Sequence, residues 1–164
     1  MLYNQNIKMY KIMNKLKVLI FVLSSFLISN ELFAQETDLF FKKTVTGEFS
    51  QVLEKVKTEF KNVGFGVITD IDMDQKLEEK LDVDLQPYKI LGVCNPGFAY
   101  KALQAEPNIG VFLPCKVIIR QLEGNKVEVV SSNPAVLMNM LNNEELTKLA
   151  DEVSIKIKSA IEKI

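Results

Sequence analysis

"IGVFLPCKVIIRQLEGNKVEVVSS", Ile109–Ser132, reads as a long strand, a turn at Glu123-Gly124-Asn125 and a returning strand. Runs rich in Val and Ile on either side of a Gly-Asn turn are the local signature of an antiparallel hairpin. A hairpin alone cannot bury its apolar face, so the rest of the chain must supply strands to extend it and helices to cover it.

Those elements lie on both sides. Leu39–Thr46 ("LFFKKTVT") is a strand by its aromatic and β-branched content, stopped by Gly47. Phe49, Val52, Leu53, Val56 and Phe60 recur at helical spacing, which predicts a helix from about Glu48 to Asn62 that stops at Asn62 and Gly64. "FGVITDI" follows as a strand, with Phe65, Val67 and Thr69 expected on one face and Gly66, Ile68 and Asp70 on the other. Asp72 and Gln75 have the form of a capping box for a short helix anchored by Leu77 and Leu81. "PYKILGVC" is the next strand and "NPGFAYKALQAE" a short helix, with Asn95 at its cap and Pro96 in its first turn. After the hairpin, Leu146, Leu149, Ala150, Val153, Ile157, Ala160, Ile161 and Ile164 form one stripe of a long helix, capped by Asn142 or Asn143. The order β-α-β-α-β-α-β-β-α, with no repeat and no Ser/Gly linker, specifies one α+β domain. Its sheet is expected to be mostly antiparallel with helices packed on one face.

The first 34 residues do not belong to that domain. Lys8, Lys11, Lys15 and Lys17 precede an uncharged stretch of 11 residues, Val18–Ile28, and "SNELFAQE" follows with Ala34 as the small cleavage residue. This is the pattern of a signal peptide, residues 1–34, ahead of a single domain over residues 35–164. The apolar stretch is too short for a membrane span, which needs about 20 residues. A periplasmic or secreted location follows, with no membrane attachment after cleavage. The remaining domain carries 16 basic and 20 acidic residues, a formal charge of −4. An acidic surface is the wrong sign for nucleic acid or an anionic membrane. With no histidine in the chain, a Ser-His-Asp or Cys-His catalytic set and His-ligated zinc or haem are excluded.

Several motifs together carry a resemblance. The strand Gly64–Val67 ("GFGV"), the Asp before a Lys-containing short helix, Pro87-Tyr88, "GVCNP", "AYKAL" and "LPC" before a β-branched strand resemble the domain-of-unknown-function family 302. The similarity extends over about residues 38–163. It implies a TATA-binding-protein-like α+β fold, a curved sheet of about five antiparallel strands backed by helices, and allows a homodimer. It implies no activity, and DNA binding does not come with the fold.

The candidate site surrounds the two cysteines, Cys94 and Cys115. A disulfide would need Cα atoms within roughly 4.4–6.8 Å and would stabilise by about 3 kcal/mol. Two buried thiols and a functional sulfur site are the other readings. In the functional reading, Cys94 precedes a helix start that would favour its thiolate. Pro114 would bend the strand beside Cys115, and Gly92 and Gly97 would let another group approach the backbone. The candidate ligand-binding residues are therefore Cys94, Asn95, Pro96, Gly97, Pro114, Cys115 and Lys116, with a small molecule, a thiol or a soft metal ion as ligand. In a dimer, the paired cysteines could form a four-sulfur site. A cysteine-dependent enzyme or redox carrier using Cys94 with Cys115 is the alternative function.

Three other patterns are read as structural. Asp70, Asp72 and Asp74 fail the EF-hand template, because Gln75 and Leu81 stand where Gly and Glu are required. Met73, Met138 and Met140 are read as core filling rather than copper ligands. Gly47, Gly64 and Gly66 form no phosphate loop, so no cofactor is expected.

Overall fold

The computed structural model describes residues 39–164, and the expected signal peptide lies outside the described residues. Five strands form one sheet: β1 (Phe40–Thr46), β2 (Gly66–Asp72), β3 (Tyr88–Cys94), β4 (Cys115–Leu122) and β5 (Lys126–Ser132). Their order across the sheet is β1-β5-β4-β3-β2 and every neighbouring pair is antiparallel. The hairpin β4–β5 lies inside the sheet, with Ile119 opposite Val129 and Val117 opposite Ser131.

The helices are α1 (Phe49–Asn62), α2 (Met73–Leu81), α3 (Pro96–Ala105), α4 (Pro134–Asn139) and α5 (Glu144–Lys163), with a 3₁₀ turn over Pro107–Phe112. One face of the sheet presents Leu91 and Val93 from β3, Val117 and Ile119 from β4, and Val127 and Val129 from β5, all fully buried. Val52, Val56 and Phe60 of α1 and Val153, Ile157, Ala160 and Ile161 of α5 close over them. Each such side chain contributes about 1.5–3 kcal/mol on leaving water, so this face is the main source of stability. A second, smaller core joins Ala102 of α3, Ile109 of the 3₁₀ turn, Met138 of α4, and Leu146 and Ala150 of α5. Among the described residues no helix is long and apolar enough to cross a membrane.

Four expectations are corrected. The strand expected from Ile109 begins at Cys115 instead. Pro107 starts a 3₁₀ turn whose first free N–H, that of Asn108, donates to the Glu106 carboxylate at 2.8 Å, and such a turn removes Ile109–Phe112 from the sheet. In β2 the pairing jumps between Val67 and Thr69. Ile68 is the extra residue and stands 61% exposed. A bulge reverses the alternation beyond it, so Thr69 falls opposite Gly92, and Asp70 and Asp72 opposite Leu91 and Lys89.

The third correction concerns Asp72, which makes no side-chain cap to α2. Its carboxylate lies 2.7 Å from Lys89 Nζ, with Asp70 at 2.9 Å on the same ammonium. The Asp72 hydrogen bond, aided by Asp70 and opposed by burial, raises the Lys89 pKa. A full positive charge held between two carboxylates outcompetes one neutral N–H for Asp72. The fourth is the anchoring of α2. It buries no residue, and Leu81 is 64% exposed.

Candidate functional site

The site grows from the meeting of β3 and β4. Val93 pairs with Cys115, which places Cys94 one residue past the last rung of that ladder. Cys94 also pairs with Gly66 on β2. Beyond Cys94 the chain turns at once into α3, because Asn95 caps it and Pro96 is preset for a first turn. Asn95 Oδ1 accepts from Phe98 N at 3.1 Å, and its Nδ2 donates to the Gly64 carbonyl at 2.7 Å. Gly64 adopts a positive φ of 90° just after α1, a conformation that glycine enters without strain. One amide side chain therefore fixes the start of α3 to the end of α1.

The walls are tied in the same way. Asn143 caps α5 by accepting from Glu145 N and Leu146 N, each at 3.1 Å, and its Nδ2 donates to the Ala105 carbonyl at the end of α3. Asn133 caps α4 by accepting from Ala135 N and also accepts from the buried Ser154 hydroxyl of α5.

Between these elements, at the seam of the two cores, lies a cavity of about 70 Å³. Cys94 and Cys115 both line it, as do the stacked rings of Phe65 and Phe98, whose centroids are 6.3 Å apart. Asn95 is the one amide in the lining, and the remainder is apolar. Both cysteines are free thiols. Of the seven candidate residues, Cys94, Asn95 and Cys115 line the cavity, whereas Pro96, Gly97, Pro114 and Lys116 do not.

Those four have identifiable local positions. A Cβ placed on Gly92 would fall 2.4 Å from Pro114 Cγ and 2.2 Å from Thr69 Oγ1. The close approach expected at Gly92 is therefore made by the protein's own proline and threonine. Gly97 has no such neighbour, since the nearest atom to its Cβ position is Asn95 Oδ1 at 3.4 Å. Lys116 pairs across from Gly92 and donates through Nζ to the Pro114 carbonyl at 2.8 Å.

The electrostatics of the thiols reverse the expectation for Cys94. Burial raises its pKa rather than the helix start lowering it. The α3 terminus has little to offer: Pro96 has no N–H, Phe98 N donates to Asn95 Oδ1, and Ala99 N donates to Asn95 O. Cys115 is pushed up to about 11, first by burial and then by the neighbouring Cys94, with Lys116 and a backbone hydrogen bond pulling the other way. Two neutral thiols in an apolar cavity are poor nucleophiles. They remain good ligands for anything that can displace their protons.

With the geometry established, the relationships are informative. The profile of the family described as "Domain of unknown function DUF302" matches residues 41–164. The chain belongs to this family. A second DUF302 protein of known structure, described as "Crystal structure of uncharacterized conserved protein DUF302 from Bacillus stearothermophilus", is similar at a TM-score of 0.70 and 28% identity. The similarity covers 76% of this chain and 97% of the other. No curated protein matches the chain.

Sequence reading found the two cysteines of this DUF302 domain but missed most of the lining. Phe65, Phe98, Leu113, Met138 and Leu149 come from five separate elements or connections. Their signal was apolar spacing, which marks them as interior without saying that the interior is incompletely filled there.

Asn95 carries a structural prediction. Asn95→Ala removes both the cap and the bridge to Gly64 and is expected to destabilise by about 1–2 kcal/mol. Urea unfolding should show a lower midpoint with an unchanged slope. A midpoint equal to that of the parent would mean that neither hydrogen bond holds α3.

Proposed function

We propose that this DUF302 domain works outside the cytoplasm as a binding module for a small ligand, a soft metal ion or a thiol held without a covalent bond, and that it performs no cysteine catalysis. The observation that carries this reading is that both cysteines line one cavity whose other side chains are apolar apart from Asn95. The basic segment and apolar core of residues 1–34 support export, and the acidic balance opposes phosphate-rich partners. The raised thiol pKa values oppose the nucleophile reading.

Size narrows the ligand. Pockets for drug-sized molecules occupy about 300–1,000 Å³, several times the 70 Å³ found here. An ion, or the sulfur end of a small thiol, fits this space without rearrangement.

The test is thermal unfolding of the reduced, metal-free protein with Ag(I) or with a small thiol such as β-mercaptoethanol. A ligand at a hundred times its Kd stabilises by about 2.7 kcal/mol, which gives a rise of several degrees. The shift should disappear in the Cys94→Ser/Cys115→Ser variant. A parent protein indifferent to both probes would end the binding reading, and recovery of the full-length chain from the cytosol would end the export half.

A further inference from the structure

We infer that the cavity is a monovalent soft-metal site for Cu(I), in which the thioether of Met138 joins Cys94 and Cys115 as the third sulfur ligand. This rests on the binding reading above and specifies its ligand class.

Met138 is the one methionine in the cavity lining, and it is 8% exposed on α4. Its neighbour in sequence, Met140, is 76% exposed. Three sulfur-bearing residues from three elements, the end of β3, the start of β4 and α4, therefore line one space. Among the described residues no group of three His, Cys, Asp or Glu side chains could hold a metal ion. Hard cations, which bind through oxygen, are thereby disfavoured. Structural Zn(II) takes four N, S or O ligands, and the lining offers three sulfurs and an amide that is already committed. Thiolate and thioether donors without nitrogen or carboxylate select Cu(I).

The charge and proton balance agree with this choice. As each thiol coordinates, an S–Cu bond replaces its S–H bond and the proton leaves to solvent, with no change of oxidation state. Two thiolates and one monovalent ion carry a net charge of −1, and the neutral thioether adds none. The volume suits a bare ion: roughly 10–15 Å³ of such space holds one water, so the cavity has room for a few atoms.

The experiment is anaerobic Cu(I) titration of the reduced protein against a chromogenic chelator, with X-ray absorption of the loaded protein. The parent should bind one Cu(I) per chain with three sulfur neighbours. Met138→Leu conserves volume and should leave the metal-free melting temperature nearly unchanged. Loss of even an outer-shell partner commonly weakens a metal site about 10–100-fold, so Met138→Leu should bind Cu(I) at least about tenfold more weakly, with two sulfur neighbours. The Cys94→Ser/Cys115→Ser variant should retain no stoichiometric copper. Equal affinity and equal coordination in parent and Met138→Leu would overturn the three-sulfur site while leaving the cysteine-based binding reading intact. A parent that ignores Cu(I) but is stabilised by the small thiol would overturn the copper assignment alone. Indifference to both would overturn the two together.

Discussion

Gly92→Ala is expected to lower the unfolding free energy by about 2–3 kcal/mol, the range for forcing extra volume into a packed site. The added Cβ meets two obstacles of different character. Thr69 Oγ1, at 2.2 Å, can swing away by rotation about χ1, although a β-branched residue in a strand has few alternatives. The Pro114 ring carbon, at 2.4 Å, belongs to a closed ring that can shift it only by a change of pucker unless the backbone moves as well. That backbone leads directly into Cys115 and the first rung of β4, opposite Val93. The substitution therefore strains the edge of the cavity as well as the sheet. Gly97→Ala is the matched control, because its new methyl group meets nothing closer than 3.4 Å and should stay within about 0.5 kcal/mol of the parent. Urea midpoints at constant slope measure both. If the two alanines are tolerated equally, the packing of Pro114 over Gly92 is not what the structure describes.

Pro114 also illustrates what was legible beforehand and what was not. The helices α1 and α5 could be read directly, since the apolar stripes ending in Phe60 and Ile164 depend only on residues three and four apart. The hairpin β4–β5 was legible because its turn is local. The bulge at Ile68 was not, because it exists only in relation to the residues that β3 presents across from it. Asp72 shows the same limit: its spacing to Gln75 fits a cap, but the stronger partner, Lys89, lies on another strand. Pro107 and Glu106 hold a local signal for the 3₁₀ turn, which the apolar run Ile109–Leu113 obscured. At the site, both cysteines were visible as landmarks. Their common cavity is a property of packing between helices remote in sequence. Its lining draws on α3, α4 and α5, and α3 packs on α5 across the intervening hairpin.

The thiols themselves provide the sharpest separation between a ligand site and a catalytic one. At pH 7 a thiol with a pKa of about 11 is ionised roughly three hundredfold less than a free cysteine near 8.5. A more basic thiolate is intrinsically more nucleophilic, and a Brønsted slope of about 0.4–0.5 returns roughly a factor of ten. The ionisation deficit wins. Cys115 should therefore react with iodoacetamide about fifteen- to thirtyfold more slowly than glutathione at pH 7, before its burial further restricts access. Its rate should keep rising about tenfold per pH unit through pH 9–10, where that of glutathione has already levelled off. Cys94, raised by burial but only partly buried, should fall between the two. Peptide mapping by mass spectrometry after timed alkylation resolves the positions, and denatured protein supplies the fully accessible reference. A thiol that outpaces glutathione at pH 6 would show that burial does not govern the site. Such a result would require an activating group that the cavity lining does not contain, since its other side chains are an amide and apolar residues. Slow thiols that nevertheless yield their protons to a soft cation have the opposite profile, inert toward carbon electrophiles and receptive to metal.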